Sequence, residues 1–143
     1  GYNVRPLELQ GAIGKVQLDK LDNFLKTRRE NANHFVELFK GDSRFIIQQE
    51  VGVSSWFCFT MIVTPHSDIR RETILGILRD AEIEHRIITG GNFLRHDVIK
   101  YFDYQVTKSV NADIAHDNGF FVGNHPVDIR DKIDYLYETL KNI

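Results

Sequence analysis

The stretch Gly1-Tyr2-Asn3-Val4-Arg5-Pro6-Leu7-Glu8 opens the sequence and leads into residues 9–40, for which the pattern predicts one long helix. No proline or glycine interrupts residues 15–39. Apolar residues recur at helical spacing and form one stripe: Ile13, Val16, Leu21, Phe24, Leu25, Ala32, Phe35 and Phe39. About 30 helical residues span roughly 45 Å, which exceeds the width of a domain of this size. We therefore expect the helix to extend past its own domain, so that the polar segment 1–8 can reach into a neighbouring site.

Composition narrows the class of protein. A chain of 143 residues with 42% hydrophobic and 27% charged residues is long enough for one globular domain. The net charge of -2 gives no indication of binding to nucleic acid or a membrane surface. The single cysteine, Cys58, excludes an internal disulfide and a cysteine-only metal site. No signal peptide or transmembrane run is recognisable, so we expect a cytoplasmic protein, and the start without Met favours a piece of a longer polypeptide.

The remainder of the chain alternates between strand and helix patterns. Strands are predicted at residues 44–49, 54–64, 83–89 and 120–124, and the second of these is apolar enough to be covered on both faces. Helices are predicted at about residues 68–82, 97–102 and 110–118, and again from residue 128 to near the end. The order indicates an α/β (α+β) layer domain over residues 41–143, with the predicted helix 9–40 ahead of it and the segment 1–8 as an arm.

Some polar residues stand where binding groups are often found. Arg86, Asn92 and Arg95 flank the pair Gly90-Gly91, and glycine allows a backbone to approach a ligand closely. The alternative for this segment is an ordinary turn. His125 follows a strand end, where it binds a ligand or only bonds within the turn before Pro126.

An aromatic group lies in the second predicted strand. It comprises Trp56, Phe57 and Phe59, and we interpret it as core rather than as a surface on which a base stacks.

Several segments of the sequence together resemble one protein family. The segments are 1–8, Gly11-Ala12-Ile13-Gly14, Gln17-Leu18-Asp19-Lys20-Leu21 and Arg28-Arg29-Glu30-Asn31-Ala32. They resemble the start of the C-terminal part of DegT/DnrJ/EryC1/StrS sugar aminotransferases and dehydratases, which are fold-type I pyridoxal-phosphate enzymes acting on nucleotide-linked keto-sugars. Residues 86–94, 99–104 and 118–125 resemble the 3-dehydratase branch. The aminotransferase branch usually has a His-Tyr-x-Pro-Leu-His-like segment where this chain has Gly91-Asn92-Phe93, which favours dehydration.

The resemblance implies a fold and an activity. The chain would be the C-terminal small domain of a homodimeric enzyme whose large cofactor-binding domain is absent here. The enzyme would remove the C3 hydroxyl of a 4-keto-6-deoxy sugar nucleotide, for surface polysaccharides, using pyridoxal or pyridoxamine phosphate. The catalytic base would lie in the large domain, so no catalytic residue is assigned in this chain. No metal ligand is assigned either. His34 is interpreted as a surface or domain-contact histidine.

The resemblance also implies roles for individual residues. Asn3 would reach across the dimer to the partner's cofactor phosphate, to which its amide donates without adding charge. Pro6 favours an extended backbone at Arg5, so the side chains of Asn3 and Arg5 share one face, and Arg5 would bind the sugar nucleotide. Arg86, Asn92, Arg95 and His125 would bind the same substrate.

Alternatives to these interpretations remain open. Asn3 could satisfy a turn, and Arg5 could pair with Glu8. The function of the whole chain also has alternatives. The chain could belong to a 4-aminotransferase of the same family or to an iron–sulfur-assisted CDP-sugar 3-dehydratase, or it could be a stand-alone interaction domain.

Overall fold

The computed structural model describes residues 7–65 and 67–143. Asn3 and Arg5, with most of the predicted arm, lie outside the described residues. The helices in the described part are α1 (Glu8–Leu18), α2 (Leu21–Phe39), α3 (Arg71–Asp80), α4 (Val110–Asn118) and α5 (Arg130–Lys141), with short 3₁₀ helices at Phe93–Arg95 and Asp97–Tyr101. The strands are β1 (Phe45–Ile47), β2 (Cys58–Val63), β3 (His85–Ile87) and β4 (Gly119–Gly123). Every strand predicted from the sequence is present, and each has shorter bounds or bounds shifted by a residue.

The strands form one antiparallel sheet in the order β1-β2-β4-β3. In its register Phe59 lies opposite Val122 and Met61 lies opposite Phe120. Because residues directly opposite each other share a face, these four side chains form one apolar surface. The sheet confirms the expected combination of helices with a small sheet, here antiparallel.

The core lies between that surface and helices α2, α3 and α5. Phe35 of α2 stacks on Phe59 with ring centroids 4.5 Å apart, and both side chains are buried. Ile74 and Leu78 of α3 and Leu136 and Leu140 of α5 fill the same layer. Burial of these large apolar side chains is the main favourable contribution to folding of the described chain.

The opposite face of the sheet is only half covered. Along β2, buried residues alternate with the half-exposed residues Cys58, Thr60 and Ile62. The expectation that this strand is covered on both faces is therefore wrong for the described residues, because the helices that fill the core pack on the other face. The half-covered face leaves room for a cleft beside β3 and β4.

The predicted helix 9–40 is divided into two. A turn at Asp19 and Lys20 separates α1 from α2, and the Lys20 amide donates to the Gln17 carbonyl only three residues back, at 3.1 Å. α2 buries Asn31, Ala32, Phe35 and Phe39, whereas α1 buries no residue. A single continuous helix is the wrong prediction, because periodicity does not detect a local turn between two helical segments.

The segment that joins β3 to α4 contains the two 3₁₀ helices instead of the single short helix predicted at about residues 97–102. Among the helices of the described residues, none combines the length and the apolar character needed to cross a membrane.

Candidate functional site

A cleft of about 1070 Å³ opens between the ends of β2, β3 and β4 and the start of α5. Its lining includes Phe57, Arg86, Thr89, His125 and Lys132. Two of the residues predicted to bind substrate, Arg86 and His125, therefore share one concavity although they are far apart in the sequence. We refer to it below as the β3 cleft.

Arg86 reaches the β3 cleft from an edge strand. It lies opposite Phe121 of β4, on the half-covered face of the sheet, and its side chain is exposed. The Arg86 guanidinium contacts the exposed Glu84 carboxylate at 3.3 Å. An exposed ion pair of this kind contributes little to stability, so the guanidinium is free to exchange its partner for an anionic ligand.

His125 is placed by two buried asparagines that sequence reasoning did not single out. The Asn31 amide of α2 donates to the Asn124 side-chain oxygen at 3.1 Å, the His125 carbonyl at 3.1 Å and the Val127 carbonyl at 2.8 Å. The Asn124 side-chain oxygen in turn accepts from the His125 amide at 2.8 Å. These bonds fix the His125 backbone and leave its side chain exposed at the cleft.

A signal for Asn31 was present in the sequence. Asn31 lies on the core side of the helix, beside Ala32 and one turn before Phe35. A polar residue at such a position needs hydrogen-bond partners, because leaving a buried amide unpaired is costly.

Phe57 differs from its aromatic neighbours. Trp56 and Phe59 are buried, as expected for core residues, but Phe57 is 74% exposed and lines the β3 cleft. The Arg28 guanidinium lies 5.7 Å from the Phe57 ring centroid and donates to the Phe57 carbonyl at 3.3 Å. The assignment of Phe57 to the core is therefore wrong, because its ring lies at the cleft beside the Arg28 guanidinium and not among the core side chains.

Asn92 and Arg95 lie outside the cleft lining, on the segment that follows Thr89. We call residues 90–96 the Gly90–His96 loop. Asn92 is 5% exposed, and its amide donates to the Asp113 carboxylate of α4 at 2.8 Å. Arg95 is partly exposed and donates to the Asp117 carboxylate at 2.6 Å. Both side chains hold the loop against α4, and their predicted contact with substrate stays a prediction.

Charge around the segment that follows His125 is organised by a local ion pair. The Arg130 side chain and backbone amide both donate to Asp128, which lowers the pKa of that carboxyl to about 2. Asp128 is therefore a carboxylate at neutral pH, and it accepts the backbone amide of the first residue of α5.

Groups of three or more His, Cys, Asp or Glu side chains that could hold a metal ion were not found within residues 7–65 and 67–143. The β3 cleft is lined by both acidic and basic side chains, among them Glu84 beside Arg86.

The sequence model of the DegT/DnrJ/EryC1/StrS aminotransferase family matches residues 1–141. The chain belongs to this family. Within it, the chain is 50% identical over 143 residues to a GDP-4-keto-6-deoxy-D-mannose 3-dehydratase of Escherichia coli O55:H7, covering 99% of this chain and 37% of that protein. It is 47% identical to the enzyme of the same name from Yersinia pseudotuberculosis, covering 99% of this chain and 36% of that protein. The chain thus spans little more than a third of these relatives.

Solved structures agree with this assignment. The E. coli GDP-4-keto-6-deoxy-D-mannose-3-dehydratase with bound hydrated PLP superimposes with a TM-score of 0.94 at 49% identity, over 98% of this chain and 36% of that one. A mutant form of GDP-4-keto-6-deoxymannose-3-dehydratase with bound GDP-perosamine gives the same TM-score, over 98% of this chain and 37% of that one. The fold is therefore that of the C-terminal part of these dehydratases.

The N-terminal segment carries residue types suited to the predicted ligands. Asn3 offers an amide donor for a cofactor phosphate and Arg5 a guanidinium for a sugar nucleotide, and both assignments stay predictions. In the described part, Arg28 and Arg44 are bonded to backbone carbonyls, and Arg95 is bonded to Asp117.

Proposed function

We propose that this chain is the C-terminal part of a nucleotide-sugar 3-dehydratase that uses pyridoxal or pyridoxamine phosphate. The substrate is a 4-keto-6-deoxy sugar nucleotide of the GDP-mannose series, from which the C3 hydroxyl is lost. The observation that carries this proposal is the 50% identity over the whole chain to a GDP-4-keto-6-deoxy-D-mannose 3-dehydratase. When bound, the cofactor supplies an amine that reacts with the 4-keto group and a ring that accepts electrons.

This part of the protein contributes binding rather than the catalytic base. The exposed guanidinium of Arg86 and the imidazole of His125 face one cleft, where they can bind the diphosphate and hydroxyl groups of a nucleotide sugar. Arg95 lies in the Gly90–His96 loop and is kept as a candidate substrate contact, whereas Asn92 is buried in that loop and bonded to Asp113. The base and the ring-stacking groups belong to the large domain, and the chain alone is inactive.

The segment 1–8 serves the site of a second subunit. In this proposal the full-length protein is a cytoplasmic homodimer, and this chain is its small domain, with residues 9–40 as the connecting segment and residues 41–143 as the α/β layer domain. Asn3 donates to the partner's cofactor phosphate and Arg5 binds the substrate. The exposed apolar residues of α1, among them Leu9, Ile13 and Val16, support a further protein surface against this helix.

Product analysis tests the proposed reaction. The full-length protein is incubated with glutamate, pyridoxal phosphate and GDP-4-keto-6-deoxymannose, and the sugar product is identified by mass spectrometry and NMR. Release of a 3-deoxy sugar is the expected result, because dehydration removes the C3 hydroxyl. Accumulation of a stable 4-amino sugar would replace the dehydratase with an aminotransferase.

A substitution in the arm tests the role of Asn3. In the full-length protein Asn3→Ala removes a hydrogen bond to a charged phosphate, a loss of about 1.5–3 kcal/mol in cofactor affinity. Cofactor retention during dialysis, followed by absorbance, measures this loss. Asn142→Ala is the matched control, since Asn142 is an exposed asparagine at the other end of the chain. Equal retention by the two variants would remove Asn3 from the cofactor site.

A further inference from the structure

The Gly90–His96 loop is attached to α4 by a histidine that the proposed function does not use. The backbone N–H of Asn92 donates to Nδ1 of His116 at 3.1 Å. Because Nδ1 accepts this bond, it carries no proton, and a neutral ring then bears its proton on Nε2. The contact therefore fixes both the position of the loop backbone and the tautomer of His116.

The approach of the ring to the loop depends on the residue before Asn92. Gly91 has φ +51, and a Cβ atom on it would lie 2.3 Å from Nδ1 of His116. Only glycine leaves space for the imidazole at this distance and adopts this backbone conformation readily. Gly91 thus allows contact with a side chain of α4, in addition to its part in the turn.

The Asn92 side chain makes a second attachment to the same helix. Its Nδ2 donates to the Asp113 carboxylate at 2.8 Å, while its Oδ1 accepts from the Leu94 amide at 3.0 Å. With the main-chain bond to His116, the buried Asn92 is held at three of its polar atoms. We call Asn92, Asp113 and His116 the α4 clasp.

The clasp is connected to the core through α3. Nη1 of Arg71 donates to the His116 carbonyl at 2.6 Å, near the C-terminal end of α4, where a cation is favourable. Arg71 begins α3, whose Ile74 and Leu78 are buried in the core. The loop is therefore attached to α4, and α4 to the folded layer, by side chains that make defined hydrogen bonds.

We propose that His116 and Asn92 are positioning residues, which hold the Gly90–His96 loop so that its exposed residues meet the substrate. This inference rests on the proposed function. Arg95 and Phe93 are exposed on the loop, whereas Asn92 is buried and engaged within the chain. The binding surface is then formed by Arg95, Phe93 and the loop backbone, and Asn92 acts by fixing them. Without the clasp, the loop must become ordered each time the substrate binds, and the free-energy cost of that ordering weakens substrate binding.

Variants of the full-length protein separate positioning from direct action. His116→Leu removes the acceptor of the Asn92 N–H. His116→Asn keeps an acceptor, because its side-chain oxygen lies near the position of Nδ1. His34→Leu removes a histidine of α2 that is bonded to Asp134, far from the loop, and serves as the control. Amide hydrogen exchange of the loop, measured without substrate, shows whether the clasp is formed. KM and kcat for the nucleotide sugar show whether the clasp contributes to substrate binding or to turnover.

The expected result is a specific pattern. In His116→Leu the exchange of the Asn92 amide accelerates about tenfold and KM rises about tenfold, as expected for one lost hydrogen bond, with kcat little changed. His116→Asn and His34→Leu stay near the wild type in both. If His116→Leu does not fold, Asp113→Ala is used instead to open the clasp, because Asp113 is half-exposed and its loss should be tolerated better.

Three outcomes would overturn the inference. They are unchanged exchange at Asn92 in the variant that opens the clasp, an unchanged KM despite faster exchange, and a KM defect in His116→Asn as large as that in His116→Leu. The last would mean that the imidazole itself meets the substrate. Because exchange is measured without substrate, failure of the clasp is distinguishable from failure of the wild-type protein to act as a dehydratase.

Discussion

Helices α1 and α2 arise from one continuous apolar pattern in the sequence, yet the burial of their apolar residues differs. α2 buries Phe35 and Phe39 against the sheet and places Asn31 in a buried polar network. α1 buries nothing, and its Leu9, Ile13 and Val16 are between 53% and 68% exposed. An apolar stripe shows which side of a helix will be covered, but it does not show what covers it.

The difference locates the two roles of the chain. α2 packs against the sheet and, through Asn31, places the backbone of His125 at the β3 cleft. α1 carries an apolar surface for which the described residues provide no cover. The proposed function gives that surface a partner in the remainder of the full-length dimer.

The largest effect is expected from the core of α2. Phe35→Ala removes a fully buried ring that stacks on Phe59, and it should lower the free energy of unfolding of the chain by about 3–5 kcal/mol. Urea unfolding followed by circular dichroism measures this change. A loss as small as that of an exposed residue would show that α2 does not pack as described.

A smaller effect is expected from the polar residue of the same helix. Asn31→Ala leaves the carbonyls of His125 and Val127 without this donor, and it should cost about 1–3 kcal/mol in the free energy of unfolding. The neighbouring Asn33→Ala is the control, because Asn33 is exposed. NMR shifts of the His125 amide should change only in the Asn31 variant; a change in neither would separate the asparagine network from the cleft.

The ion pair of Asp42 and Arg44, just after α2, should make the free energy of unfolding depend on pH by about 1 kcal/mol. Hydrogen bonds from Arg44 lower the pKa of Asp42 below its usual 3.8. The carboxylate therefore adds stability above that value and loses it as the pH falls through the lower folded-state pKa. Asp42→Asn should reduce the loss of stability that occurs as the pH falls below about 4, as measured by urea unfolding at each pH. Parallel curves for variant and wild type would contradict this.

The smallest effect in the chain itself is expected from α1. Ile13→Ser exchanges an exposed residue, so it should change the free energy of unfolding of the 143-residue chain by less than about 0.5 kcal/mol. In the full-length protein the same change should cost clearly more, because the residue is then covered. Equal and negligible effects in both would mean that α1 is a solvent-exposed helix.

Local patterns in the sequence predicted the fold well. The alternation of strand and helix signals located the strands, and the bounds of α4 at residues 110–118 were predicted as observed. The turn at Asp19 and Lys20 was missed because both residues are compatible with a helix. The exposure of Phe57 was missed because a run of aromatic residues does not show which of its members face the core; Trp56 beside it is buried.

The candidate site was predicted only in part. The residue types and the glycine pair pointed to Arg86, Asn92, Arg95 and His125, and the fold brings Arg86 and His125 together at the β3 cleft. Which polar residues are buried depends on long-range packing, so the roles of Asn124 and His116 could not be derived from spacing. Asn3 and Arg5 stay predictions, supported by the match to the family over residues 1–141.

Cofactor binding by the chain and by the full-length protein tests the central claim that this chain holds one part of a divided site. Both are titrated with pyridoxal phosphate and followed by visible absorbance under the same conditions. The account predicts a bound-cofactor band with the full-length protein, weakened by Asn3→Ala, and no such band with the 143-residue chain. A stoichiometric band on the chain alone would contradict it.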